Sequence, residues 1–177
     1  MFKKASLVLS LIFLISCGKD NDDIILPEDI TNLNKEEGVI FGKASQTCGG
    51  SAKCNLIYKL TNEGLFLSDN ENSLPADNNW TFFECPLPSG SAFLAREAFN
   101  LPRGIRDVPD TELTDDINSN GEFFVIEYVT PAGRKTIQFK GLDDSFSTER
   151  IQAYYKYVIN TTKILEGKGD RPIETCP

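Results

Sequence analysis

Histidine, the side chain most often used as a catalytic base, is missing altogether from this 177-residue chain. Imidazole chemistry is thereby excluded, including Ser-His-Asp triads, Cys-His pairs and the HExxH zinc site. Carboxylates, lysines and a bound metal remain as chemical agents. Paired acids stand at Glu36-Glu37, Asp115-Asp116 and Asp143-Asp144. A glycosidase needs two carboxylates facing each other across a sugar cleft, and adjacent acids in polar segments of an acidic chain read instead as solvated surface. No Walker loop or GxGxxG is present to cradle a nucleotide.

One spacing does match a ligand pattern. Asp116-Ile117-Asn118-Ser119-Asn120-Gly121, with Glu127 six residues beyond the glycine, fits the calcium loop D-x-[DN]-x-[DN]-G-x5-E. In an EF-hand the residues after the glycine lead into a helix, whereas 123–130 alternates like a strand. Extended chain from Gly121 to Glu127 rises about 20 Å, too far for Glu127 to close on a cation held by Asp116. A looser loop would use Asp116, Asn118, Asn120 and a nearby acid, Glu122 or Asp115, as calcium ligands. The competing expectation is that Asn118, Asn120 and Gly121 only build the turn into the strand, since these residues tolerate left-handed backbone. The sequence leads to an expectation of no cofactor, with calcium at this loop as the alternative.

The amino terminus holds a different signal. Lys3 and Lys4 precede an uncharged stretch from Ala5 to Ser16, the charge order of a secretory signal peptide. As a helix this stretch reaches only about 18 Å, short of a hydrocarbon core of roughly 30 Å, so it reads as a removable address. It ends in Leu14-Ile15-Ser16-Cys17-Gly18, which resembles the lipobox of bacterial lipoproteins. The resemblance implies cleavage before Cys17, diacylation of its sulfur and an acylated amine. The following Cys17-Gly18-Lys19-Asp20-Asn21-Asp22-Asp23 resembles the export signal of some Gram-negative surface lipoproteins, with Asn21 interrupting the acidic run; a plain solvated tether is the other reading. Asp is absent directly after Cys17, which by the same analogy argues against inner-membrane retention. The resemblance thus implies a lipid-anchored protein of the outer membrane and leaves its surface-exposed or periplasmic face open.

Cleavage leaves 161 of the 177 residues, a length that suits one domain with its own core. Losing two lysines shifts the formal charge from -8 to -10, disfavouring nucleic acid and anionic lipid as partners and leaving anchoring to the acyl chains. With Cys17 lipidated, Cys48, Cys54, Cys85 and Cys176 remain for an oxidising compartment. Four cysteines allow three pairings. Cys48 with Cys54 is favoured, because Gly49 to Lys53 makes a short flexible loop, which leaves Cys85 with Cys176. The second bridge pins the carboxyl tail and contributes about 4 kcal/mol on the chain-entropy model. A four-thiolate zinc site is the rival, although the CxxC spacing of zinc ribbons and of redox motifs is missing.

The elements that must position these residues follow from period and punctuation. Residues 1–16 are signal peptide, 17–37 a lipidated acidic tether, and 38–177 one α+β domain. Strands are predicted over 39–45, 55–60, 65–67, 80–84, 123–130 and 135–140, with hairpin turns at 61–64 and 131–133. Ser91 reads as the N-cap of a short helix to about 100. Residues 68–79 read as polar loop and 103–120 as irregular. After Ser147, Ile151, Tyr154, Tyr155, Val158, Thr162 and Leu165 share one stripe of the strongest helix, ended by Lys163, Gly167 and Lys168. The result is a mostly antiparallel sheet of hairpins packed by a C-terminal helix and a shorter middle helix, with two disulfides.

Three functions fit this reading. The first is a non-enzymatic lipoprotein that binds a protein or glycan or supports an envelope assembly; the Cys48–Cys54 loop with its Lys53 is the nominated recognition surface, although it reads first as a mere staple for a hairpin. The second is an inhibitor of a lysozyme or protease, to which an acidic surface is suited. The third is a hydrolase using carboxylates or calcium. With no catalytic motif, the sequence favours a protein that is not an enzyme. Trp80, Phe82 and Phe83 read as core before ligand platform.

Overall fold

The computed structural model describes residues 30–47, 54–76, 79–107, 121–130, 133–139, 149–173 and 176. Alternation sets its sheet. Along β6 (Glu122–Thr130), Phe124, Ile126 and Tyr128 enter one apolar cluster while Phe123 and Val125 enter another on the opposite face, as a two-residue period requires. The chain returns as β7 (Gly133–Phe139), with Phe124 opposite Phe139 and Thr130 opposite Gly133. On the other side of β6 lies β2 (Val39–Ser45), followed by β3 (Leu56–Leu60) and β4 (Leu65–Leu67). The order is β4-β3-β2-β6-β7 and every pair is antiparallel. Two hairpin blocks therefore meet through β2 and β6, which pair Val39 with Tyr128 and Gly42 with Val125. The turn at 61–64 closes through the Thr61 amide donating to the Gly64 carbonyl at 2.9 Å.

The helices are α1 (Ser89–Ala95), α2 (Arg103–Asp107) and α3 (Glu149–Lys168), three among the described residues. The predicted stripe of α3 is buried along its whole length. It packs on the face holding Phe41, Tyr58, Ile126 and Phe139, where the Phe139 and Tyr155 rings stack at 4.3 Å. The fold class is α+β, an antiparallel sheet covered on one face by a long C-terminal helix, as the patterning predicts. Cys85 and Cys176 form a disulfide across 91 residues with Cα atoms 5.2 Å apart. Cys48 lies outside the described residues, and Cys54 is engaged rather than free. The Cys85–Cys176 bond withdraws two of the four thiolates that a zinc site would need.

Several expectations are corrected. The segment 80–84 is not a strand; only Phe82 bridges to Ser68. It borders β4 irregularly, the Phe83 amide donating to Leu67 and that of Leu87 to Leu65, because β4 is three residues long and Pro86 and Pro88 cannot donate. Ser91 is not a cap. α1 starts at Ser89 after Pro88, and the buried Ser91 hydroxyl donates instead to Asp170. A 3-10 turn (Arg96–Phe99) finishes this helical segment. The C-terminal helix ends at Lys168, and the glycine that closes it is Gly169 rather than Gly167, since it is Gly169 that adopts φ +62° and donates to Leu165 and Glu166. The chain also enters the fold before Gly38: β1 (Ile30–Asn32) pairs with β5 (Asn100–Pro102), and Leu33 is buried.

Four of the tyrosines give a pH test of this packing. Burial is the main force raising the hydroxyl pKa values of Tyr58, Tyr154, Tyr155 and Tyr157 above the ordinary value near 10. A phenol whose folded value is raised supports the fold below its unfolded pKa. It loses that support as pH rises, because the unfolded chain gives up the proton first. In an alkaline titration tyrosinate absorbance should therefore stay low past pH 10 and then rise in one step with loss of helical circular dichroism. Gradual ionisation near pH 10 with the helix intact would contradict this core.

Candidate functional site

Antiparallel geometry puts the end of β2, the start of β3, the end of β4 and the start of β6 at one end of the sheet. Both loops singled out from the sequence attach there. The Cys48–Cys54 loop connects β2 to β3, and the segment carrying Asp116, Asn118 and Asn120 leads into β6, where Glu122 stands opposite Ser45. Residues 48–53 and 108–120 lie outside the described residues, so neither the recognition loop nor three of the four candidate calcium ligands has a described geometry.

The base of this rim is organised by Asn55, which is 1% exposed. Its Oδ1 accepts from the Ser45 amide at 3.1 Å, and its Nδ2 donates to the carbonyls of Asn70 and Ser73, both at 2.9 Å. The Cys54 and Asn55 amides both donate to the Glu71 carbonyl at 3.0 Å, and the Glu71 carboxylate holds Arg171 at 2.6 Å. An amide head is suited to this position because it supplies one acceptor and two donors in one plane. A buried polar group with its bonds satisfied fixes one arrangement of the chains around it. Asn55 thus ties the end of β2 to the 68–76 segment, and Glu71 extends the tie to the carboxyl tail.

A charged group closes the opposite side of the rim. Lys43, on β2, has its Nζ 3.2 Å from Glu166 of α3 and 3.3 Å from Glu122 of β6. Burial depresses the lysine pKa, but Glu166 and Glu122 outweigh that and hold it above its ordinary value. Glu122, the fourth candidate calcium ligand, is therefore already paired with a cation. Glu127 sits in mid-strand, 3% exposed, bonded to Arg134 at 2.5 Å and to Thr136 at 3.2 Å. Burial raises its carboxyl pKa, partly offset by Arg134 and Thr136. Its position on β6 agrees with the sequence argument against EF-hand closure. Among the described residues, no group of three or more Cys, Asp or Glu is placed to hold a metal ion.

Of the other nominated residues, Trp80 is core, packed with Ile40, Ile57, Phe123 and Val125. Phe82 is partly buried beneath Lys59, whose Nζ is 5.9 Å from the ring. The acid pair Glu36-Glu37 is exposed, and the other two pairs lie outside the described residues. Sequence reasoning missed Asn55. Its only signal was a polar residue on the same strand face as buried Ile57.

The Asn55 hub is directly testable. Asn55→Ala should cost about 3 kcal/mol, since three backbone partners, one buried and two part-buried, lose their bonds to a buried amide at roughly 1 kcal/mol each. Amide exchange should rise at Ser45 and Cys54 well before global unfolding. Unchanged urea stability with unchanged exchange there would remove the hub from the account.

Comparison with known proteins adds no relative: no family model, no curated protein and no solved structure matches this chain.

Proposed function

We propose that this chain is a bacterial lipoprotein of the outer membrane, anchored by acyl chains on Cys17, that binds an envelope protein or glycan through the loop rim and is not an enzyme. The observation that carries the binding role is the Asn55 hub. A satisfied, buried amide ties the root of the β2–β3 loop to the 68–76 segment, and Glu71 extends the tie to the carboxyl tail; rigid roots are what a loop-borne recognition surface needs. We include a second disulfide, Cys48–Cys54, which stiffens the β2–β3 loop and presents Lys53. The alternative roles, inhibition of a lysozyme or protease and calcium-dependent hydrolysis, would use the same rim.

Capture from outer-membrane extracts tests the reading, comparing the lipidated protein with Lys53→Glu and with the Cys48→Ser, Cys54→Ser double variant. Enrichment of one envelope component that both variants lose supports it. Capture indifferent to both variants would move recognition away from the rim, and EDTA-sensitive turnover of any substrate in a broad screen would replace binding with hydrolysis.

A further inference from the structure

Of the five exposed large hydrophobic side chains among the described residues, three belong to α1 and α3. Phe93 is 62% exposed, Leu94 36% and Ile164 51%. The Tyr157 hydroxyl donates to the Leu94 carbonyl at 2.8 Å, and Ser91 bonds Asp170 just beyond the end of α3. α1 therefore lies alongside the second half of α3. Tyr157 and Ile164 are two helical turns apart, on one flank, so Ile164 lies between the two ties, beside α1. The Arg96 guanidinium sits 4.3 Å from the centre of the Phe93 ring, placing a cation beside the most exposed aromatic.

Charge and chain path identify what this strip meets. The chain as a whole holds 18 Lys and Arg against 26 Asp and Glu, yet segments 89–107 and 149–168 hold seven against four. The helical layer is basic in an acidic protein. The tether enters the fold on this same layer: β1 pairs with β5 directly after the 3-10 turn, and the Leu33 amide bonds the Phe99 carbonyl. Ile30 lies thirteen positions after Cys17, a reach of at most about 45 Å even when fully extended.

We propose that the helical layer is the membrane-facing surface of the anchored protein, with Phe93, Leu94 and Ile164 seated in the interface of a bilayer containing anionic lipid. The inference rests on the lipid-anchor reading. It gives the protein a second membrane signal beside its acyl chains, and leaves the 68–76 segment, whose Leu74 packs on the sheet face opposite α3, on the far side of the sheet. Aromatic and aliphatic side chains beside cations are the composition of interfacial segments, whose apolar faces lie about 5–10 Å into the headgroup boundary.

The test uses the lipidated full protein in phosphatidylethanolamine–phosphatidylglycerol vesicles with brominated acyl chains, which quench indole fluorescence on contact. Native Trp80 is buried and supplies an unquenched baseline. Phe93→Trp adds an indole to the strip, and Asn72→Trp adds one to an exposed turn of the 68–76 segment. The indole added by Phe93→Trp should lose at least about half its emission, given that insertion depth, and that added by Asn72→Trp should keep its own. Protein that stays with the vesicles while both indoles remain bright overturns the membrane-facing strip and leaves the anchor standing. Protein that fails to stay with vesicles at all overturns the anchor, and the strip with it.

Discussion

Gly42→Ala is expected to destabilise the domain by at least about 4 kcal/mol, in the range reserved for severe core defects. Gly42 lies in β2 between Ile57 of β3 and Val125 of β6. Its φ of +150° is one that L side chains rarely adopt, and a Cβ placed there would stand 2.0 Å from the Leu56 carbonyl oxygen and 2.9 Å from the Ile57 Cα. Both neighbours are backbone, so no rotamer change relieves the clash. β2 is central, and moving it away from β3 drives it into β6. The strand must shift and break its ladder bonds, or the hairpin blocks must separate. Urea unfolding followed by circular dichroism reads the effect; a variant within 1 kcal/mol of the parent would mean that β2 and β3 do not approach as described.

Loss of the Cys85–Cys176 bond carries the second large effect. The bond closes a loop of 91 residues, and the chain-entropy model assigns such a closure about 4–5 kcal/mol. The double variant Cys85→Ser, Cys176→Ser should therefore melt about 10–15 °C lower. The remaining holds on the tail are few: Arg171 on Glu71, the Ile173 amide on the Pro86 carbonyl, and Asp170 on Ser91. The Arg171 guanidinium is more than half exposed, so water and salt screen its contribution. Exchange should rise first at Ile173. A melting temperature unchanged by the substitution would show that these contacts alone fix the tail, and that the closed loop adds nothing measurable.

Legibility followed how much of each element repeats in sequence. The stripe of α3 spans four turns from Ile151 to Leu165, and each of its predicted members is buried, because one wrong residue cannot mask a repeating period. The hairpin of β6 and β7 was legible for the same reason. Three-residue strands contain no period to read, so β1 and β5 were absorbed into the tether and the middle helix. Pairings between distant segments leave no local trace either, and β2 beside β6 belongs to that class. Ser91 misled because a hydroxyl near a helix start suits a cap, while its actual partner, Asp170, is 79 residues away. At the rim, strand order was needed to bring the Cys48–Cys54 and Asp116–Gly121 loops to one end, and Asn55 acquired meaning only from partners at Ser45, Asn70 and Ser73.

Anchoring is the claim on which the binding proposal and the membrane-facing strip both depend, and intact mass measurement of the protein recovered from the outer-membrane fraction tests it most directly. The account predicts a chain beginning at Cys17, with a diacylglyceryl group on its sulfur and a further acyl group on its amine. A chain beginning elsewhere, or one bearing an unmodified Cys17, would contradict it.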